Sequence, residues 1–313
     1  MTDEFYYRIY GLNVRSELPL PGALACEPME QPDVVSVLGE IPAFLKGSRE
    51  AGYGTWTNSF KNAWFYTPGA GEFYVEKGRS VIVAPIEDPN WDLLASLFLS
   101  AAMSLILLQR NEAVLHGSAL EYAGQAFIVS GDSGAGKSTV SFELMKEPYG
   151  FLADDTVRVH REGGLFLAEP SYPQQKLCRD QALRLGLELE KLRYIDEDRD
   201  KFAKLCLDRY LHRGLPLKLM VILRKDPQAR QVSCRELKGQ DYLNAMTQAF
   251  YLANTYRNIT GFPGELMMQL IALASQIRVY AVSRPETGDT VLQVTETIKQ
   301  LIRETIPPKS PDC

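Results

Sequence analysis

Cysteine is scarce in this chain of 313 residues: five occur, at 26, 178, 206, 234 and 313, and none forms a C-x-x-C pair. An odd, scattered set excludes a secreted disulfide scaffold and the paired thiols of a zinc finger, and it fits a reducing cytoplasm. Histidine is rarer still, and His116, His160 and His212 are not spaced as metal ligands. Basic charge is also short. With 34 Lys and Arg against 39 Asp and Glu, the net charge is −5, which leaves no electrostatic footprint for nucleic acid or an anionic membrane. The opening Met-Thr-Asp-Glu is acidic and lacks an apolar h-region, so no secretory signal is expected. The most hydrophobic element, Leu93 to Leu108, falls short of the roughly twenty residues that cross a bilayer. Asp92, Ser96, Ser100 and Ser104 recur on one side of it, the pattern of a buried helix with a small-residue stripe. The expectation is a cytoplasmic protein with no nucleic-acid partner and no membrane span.

What is present concentrates between Val114 and Asp155. At its centre, Gly131-Asp-Ser-Gly-Ala-Gly-Lys-Ser138 fits the phosphate-loop pattern G-x-x-x-x-G-K-[ST]. The apolar run Ala126–Ser130 reads as a strand entering the loop, and Ser138 to Lys146 as a helix leaving it, ended by Pro148 and Gly150. Glycines at 131, 134 and 136 let the backbone turn its N–H groups inward around an anion, and the helix N-terminus adds partial positive charge there. Gly131, Asp132, Ser133, Gly134, Ala135, Gly136, Lys137, Ser138 and Thr139 are therefore the expected nucleotide contacts. Lys137 would reach the terminal phosphates, and the Ser138 hydroxyl would ligate Mg²⁺.

The strand Phe151-Leu152-Ala153 ends in Asp154-Asp155, seventeen residues beyond Lys137. A strand–loop–helix–strand unit of that length brings its second strand end beside the loop. Two adjacent acids there can divide metal binding and proton acceptance; a plain Asp-Asp turn is the alternative. His116 lies on an apolar segment before an expected hairpin at Ala123-Gly124, and by itself reads as a buried structural histidine.

Taken together, L-H-G-S-A, G-D-S-G-A-G-K-S-T and F-L-A-D-D, in this order within forty-two residues, resemble the kinase core of HPr kinase/phosphorylase and its relatives. The resemblance implies Asp154 as general base toward a seryl hydroxyl, His116 in support, and Asp155 with Ser138 as magnesium ligands. It also places Asp180 at the spacing of a further functional acid. The E-I-R-G motif that surrounds that acid in HPr kinases is absent, and an acid at the start of a helix before Gln181 is the competing reading.

Around this core, residues 1–88 read as a β-rich N-terminal domain, with strands at Tyr6–Tyr10, Val34–Leu38, Trp64–Tyr66, Glu72–Glu76 and Ser80–Ala84. Thirteen of the 31 aromatic residues fall in the first 74 positions, beside five Lys/Arg and nine Asp/Glu. That balance favours cross-strand aromatics over a base-stacking surface. Residues 89–306 form the kinase domain, with 307–313 a disordered tail. Within it, Thr156–His160 and Leu165–Leu167 flank a hairpin turn, the charge-dense 188–209 reads as a solvated helix or loop, and Leu217–Leu223 and Arg278–Val282 as strands. Asp241–Tyr256, Glu265–Ile277 and Val291–Glu304 read as helices. The expected fold class is α/β: an HPr-kinase-type phosphate-loop kinase domain, a mixed sheet with flanking helices, behind a smaller β-rich domain.

The resemblance implies an ATP- and Mg²⁺-dependent serine kinase with a serine-bearing peptide as partner, and, because HPr kinases form hexamers, a homo-oligomer is among the expectations. The chain lacks the L-E-I-R-G-L-G stretch that HPr kinases use around substrate. The Tyr10–Pro21 segment and Ser171-Tyr-Pro-Gln-Gln-Lys-Leu177 instead look like kinases that phosphorylate a serine of a lasso-peptide precursor. The peptide reading is placed first, ahead of an HPr-type or free-amino-acid serine kinase and of a nucleotide-binding regulatory protein without phosphotransfer.

Overall fold

Hydrophobic side chains that alternate at period two become strands once a sheet buries one of their faces. In the computed structural model, which describes residues 3–45, 54–58 (backbone only), 61–132, 134–196, 200–253 and 261–308, more of the described residues lie in strands than in helices. The fold is mixed α/β and divides into two units, one of residues 1–112 with 172–205, the other of 113–171 with 206–313.

The first unit is built on an eight-stranded sheet. Its strands are β1 (Phe5–Ile9), β2 (Leu12–Ser16), β3 (Leu24–Ala25), β4 (Val34–Leu38), β5 (Gly54–Asn58), β6 (Asn62–Thr67), β7 (Gly71–Glu76) and β8 (Ser80–Pro85). They run in the order β3-β1-β2-β4-β8-β7-β6-β5. Leu12, Val14 and Ser16 of β2 point inward while their neighbours are half exposed. The aromatics sit across strands, as expected: Phe65 and Phe73 are register partners whose rings stack at 4.6 Å, and Trp64 opposes Tyr74. The indole N–H of Trp64 donates to Glu72 at 3.1 Å, which satisfies a buried polar pair.

The apolar helix, α1, is longer than the sequence suggests: it spans Trp91–Gln109, nineteen residues, with a π-helical turn at Phe98–Ala102. Length and composition alone would suit a membrane span, yet 72% of its apolar window is buried inside the protein. Its N-cap is Asn90, whose side chain accepts from Leu93 N, while Asp92 lies in the first turn. At the other end the Gln109 amide donates to the Val75 carbonyl at 3.0 Å and accepts from Gly78 N at 2.7 Å. These bonds tie the helix to the β7–β8 hairpin, so the unit extends past the boundary at residue 88 that composition suggests.

A three-stranded sheet completes this unit: β14 (Gln174–Cys178), β15 (Arg193–Asp196) and β16 (Lys201–Leu205), in the order β14-β16-β15. The charge-dense segment is thus partly strand. Tyr194 and Phe202 are register partners with ring centroids 4.9 Å apart, and that pairing outweighs the charge pattern. Residues 197–199, Arg199 among them, lie outside the described residues.

The second unit carries β9 (Ala113–Tyr122), β10 (Gln125–Gly131), β11 (Gly150–Ala153), β12 (Thr156–Glu162), β13 (Leu165–Ala168), β17 (Leu215–Asp226), β18 (Ser233–Glu236) and β19 (Arg278–Pro285). Strand β9 serves several partners: its first half pairs with β12, its second half with β10 and β11. On its other edge β10 is parallel to β17, which is parallel to β19. The hairpin at Ala123-Gly124 forms as expected, both residues having positive φ (+51° and +82°). The one at Gly163-Gly164 does likewise, at +56° and +85°.

The helices of this unit are α2 (Lys137–Leu144), α4 (Gly239–Ala249), α5 (Gly264–Leu273) and α6 (Val291–Thr305), α3 (Arg179–Arg184) belonging to the first unit. The expected helix 241–256 stops at Ala249. Phe250 is extended and bridges Leu115, and Tyr251 N donates to the Val114 carbonyl at 2.8 Å, so strand pairing with β9 ends the helix. Residues 254–260 and 309–313, the latter most of the expected tail, lie outside the described residues.

Candidate active site

The phosphate-loop sequence leaves β10 and enters α2 as its pattern requires. Gly131 is at φ +140°, and a Cβ there would lie 2.4 Å from the Leu223 carbonyl oxygen of β17. Only glycine lets the strand end approach its parallel neighbour this closely. Gly134 (+75°) and Gly136 (+108°) turn the chain back, and Gly136 is the N-cap of α2. Among the described residues nothing lies within 4 Å of a Cβ built on Gly136, so the loop has open space there. The Lys137 ammonium donates to the carbonyls of Gly131 (2.8 Å) and Asp132 (3.1 Å), across the mouth of the loop. Ser138 is half-buried and Thr139 buried in the first turn of α2. Ser133 lies outside the described residues.

The acid pair sits at the turn between β11 and β12. Asp154 is buried, 2% exposed, and Asp155 has a left-handed backbone at φ +74°. Strand β9 holds both. The Ser118 hydroxyl, fully buried, donates to Asp154 Oδ1 at 2.5 Å. Gly117 N donates to the Asp155 carbonyl at 3.2 Å, and His116 Nδ1 lies 3.8 Å from Asp155 Oδ1. The Ser130 hydroxyl, at the end of β10, donates to the His116 carbonyl at 2.6 Å. That bond links the strand leading into the phosphate loop to the strand carrying the histidine. His116 is thus half-buried, with its ring in contact range of an acid.

Period two explains why β9 can do this: His116 and Ser118 share one face, while Gly117 turns toward β10. A Cβ on Gly117 would meet the Val129 carbonyl oxygen at 2.8 Å, so the glycine keeps the two strands in register. Ser118 was not singled out by sequence, although the L-H-G-S-A stretch places it two residues from His116.

Three further groups were also missed. Arg284, near the end of β19, donates through Nε to the Ala135 carbonyl at 3.2 Å. Lys225, its register partner on β17, brings Nζ within 3.6 Å of a Cβ built on Gly134. His160 sits between two carboxylates, Nε2 being 3.4 Å from Glu162 and Nδ1 3.7 Å from Glu169, a grouping that spacing did not reveal.

Asp180 occupies the first turn of α3, exposed, in the first unit. Its local setting is that of an acid at a helix start. Lys201 is in strand β16 of the same unit, opposite Cys178.

The donor set in the second unit suits a magnesium nucleotide. Ser138 and Asp155 carry hard oxygen atoms of the kind magnesium takes, Lys137 is a cation at the loop, and the glycine turns leave the loop backbone uncovered by side chains of their own.

No family model matches the chain. In sequence it is 35% identical over 77 residues to the HPr kinase/phosphorylase of Nitrosomonas europaea, covering 21% of this chain and 24% of that protein. It is 43% identical over 65 residues to the HPr kinase/phosphorylase of Burkholderia cenocepacia, covering 21% and 20%. The matched stretch thus spans about a quarter or less of the length of these relatives. Among solved structures, the Hpr(Ser) kinase/phosphatase from Coxiella burnetii aligns with 61% of this chain and 97% of that chain, at 11% identity and a TM-score of 0.33. One segment of this phosphate-loop protein is similar in sequence to HPr kinase/phosphorylase.

Proposed function

We propose that this protein is an ATP-dependent serine kinase of the HPr kinase type, acting on a flexible serine-bearing peptide, with the end of a lasso-peptide precursor as the first candidate. The observation that supports it best is the buried Asp154 carboxylate, held by Ser118 of β9 on the turn that also carries Asp155, which His116 of β9 approaches. In this reading Asp154 accepts the proton of the attacking seryl hydroxyl, and the oxygen of that serine bonds to the γ-phosphorus as the bond to ADP breaks. Ser118 fixes the carboxylate and His116 orients Asp155. Lys137 moves from the Gly131 and Asp132 carbonyls onto the phosphates, and the loop N–H groups supply preorganised donors. Ser138 and Asp155 would hold Mg²⁺, which when bound neutralises charge on the phosphate oxygens. Asp180 takes no part in this reading, because its place at a helix start already accounts for it.

Incubation with ATP, Mg²⁺ and either a lasso precursor ending in serine or purified HPr, followed by mass spectrometry, tests the proposal. The expected result is one added phosphoryl group, about 80 Da, on the peptide serine. Phosphate on HPr alone would replace the peptide reading by the HPr one. ATP binding with no transfer to either would favour a regulatory nucleotide-binding protein. A thermal shift on Mg·ATP that Lys137→Ala leaves at full size would remove the phosphate-loop reading itself.

A further inference from the structure

We propose that Lys225 is a second phosphate ligand of the loop, reaching the polyphosphate tail of the nucleotide from the neighbouring strand. This rests on the phosphate-loop reading above and adds to it a cation that no motif supplies.

Ligands of parallel sheets collect outside the carboxyl ends of the strands. Here three such ends lie side by side. The register pairs Gly131 of β10 with Leu223 of β17, and Leu223 with Val282 of β19. Strand β10 stops at Gly131 and becomes the loop, while β17 and β19 run on, so Lys225 and Arg284 extend alongside it as register partners. Lys225 lies two residues past Leu223, whose carbonyl oxygen packs against Gly131, and thus shares that residue's face. Its Nζ is 3.6 Å from a Cβ position on Gly134, the residue at the middle of the loop.

The surroundings leave this charge available. Lys225 is exposed, and among the described residues it has no carboxylate partner. The adjacent Asp226 accepts from Gln228 N at 2.9 Å, which engages it in its own turn. Arg284 is spent on the loop backbone: Nε donates to the Ala135 carbonyl and a terminal nitrogen to the Pro285 carbonyl at 3.0 Å. One of the two strand-end cations therefore holds the loop, and the other faces it with no partner among the described residues. An exposed ammonium beside a glycine, which has no side chain of its own to occupy the space, suits a bulky anion.

Full-length wild type, Lys225→Met and Lys225→Arg are compared by titration calorimetry, with Mg·ATP and with inorganic tripolyphosphate as probes. Removing one charged phosphate contact should weaken both ligands about tenfold, and Lys225→Arg should recover most of that loss. The ligand-free melting temperature should stay unchanged, because the side chain is exposed. Unchanged affinities in Lys225→Met, with ATP binding abolished in Lys137→Ala, would overturn this assignment and leave the phosphate-loop reading standing. Weakening of ATP with no change for tripolyphosphate would also overturn it, because the contact would then lie elsewhere on the nucleotide. Failure of the wild type to bind either probe would remove the phosphate-loop reading and this inference with it.

Discussion

Ser118→Ala removes the hydroxyl that donates to Asp154 across 2.5 Å, in a place where neither residue meets solvent. A hydrogen bond to a charged group contributes about 1.5–3 kcal/mol, and a buried carboxylate that loses a donor bears the cost in full. A loss of about 2 kcal/mol should lower the melting temperature by about 4–8 °C, at the 2–4 °C per kcal/mol usual for a unit of this size. Asp154→Asn is the companion change. Its amide oxygen can still accept from Ser118, so the fold should lose less, while the proposed role of Asp154 as general base has turnover falling ~10²–10⁴-fold. The two residues share one bond, so the double variant should be less unstable than the sum of the single ones, by about 1 kcal/mol. Thermal unfolding followed by circular dichroism, with ADP release measured on the same samples, reads both quantities. A Ser118→Ala protein that melts like the wild type, together with strict additivity in the double variant, would refute the view that this hydroxyl holds the acid.

Gly131→Ala should cost about 3 kcal/mol, because the new Cβ would lie 2.4 Å from the Leu223 carbonyl at φ +140°; chemical denaturation measures it, and a loss under about 1 kcal/mol would contradict the close approach. A fragment of residues 89–313 should aggregate, since α1 loses the hairpin that Gln109 binds and its apolar face is uncovered. A monodisperse fragment in light scattering would show that the helix does not depend on the N-terminal sheet. Glu236 is held down to about 2 by hydrogen bonds from Arg278 and then Lys238, so Arg278→Ala should raise it toward the ordinary value near about 4.3. Because the depressed value favours the ionised form, the pair's contribution is present above the ordinary carboxylate range and fades as pH falls toward 2. It is a surface pair, worth no more than about 1 kcal/mol, and carboxylate titration by NMR follows it directly.

The sequence by itself determined the features that depend on neighbours along the chain. Positive φ at Ala123-Gly124 and Gly163-Gly164 is a demand on two adjacent residues, and both hairpins form where Gly-containing turns predict them. The phosphate loop is legible for the same reason, since the run from Gly131 to Ser138 contains its own backbone instructions. Strands β4, β7, β8 and β19 follow from short apolar or alternating runs. Other features needed residues far apart in sequence to meet. Nothing near Asp154 announces that Ser118, thirty-six positions earlier, will hold it; β9 must first pair with β11 and β12. Lys225 and Arg284 reach the loop because β17 and β19 line up beside β10 in parallel, across about ninety and one hundred and fifty residues of chain. Helical periodicity carried past Ala249 on paper, but in the protein the backbone of Tyr251 finds a better partner in Val114. Composition likewise drew a boundary at residue 88, whereas the hydrogen bonds of Gln109 and the return of residues 172–205 set the unit's real extent. Local torsional preferences can be read one residue at a time; which strand lies beside which is decided by the burial and hydrogen bonding of the whole sheet.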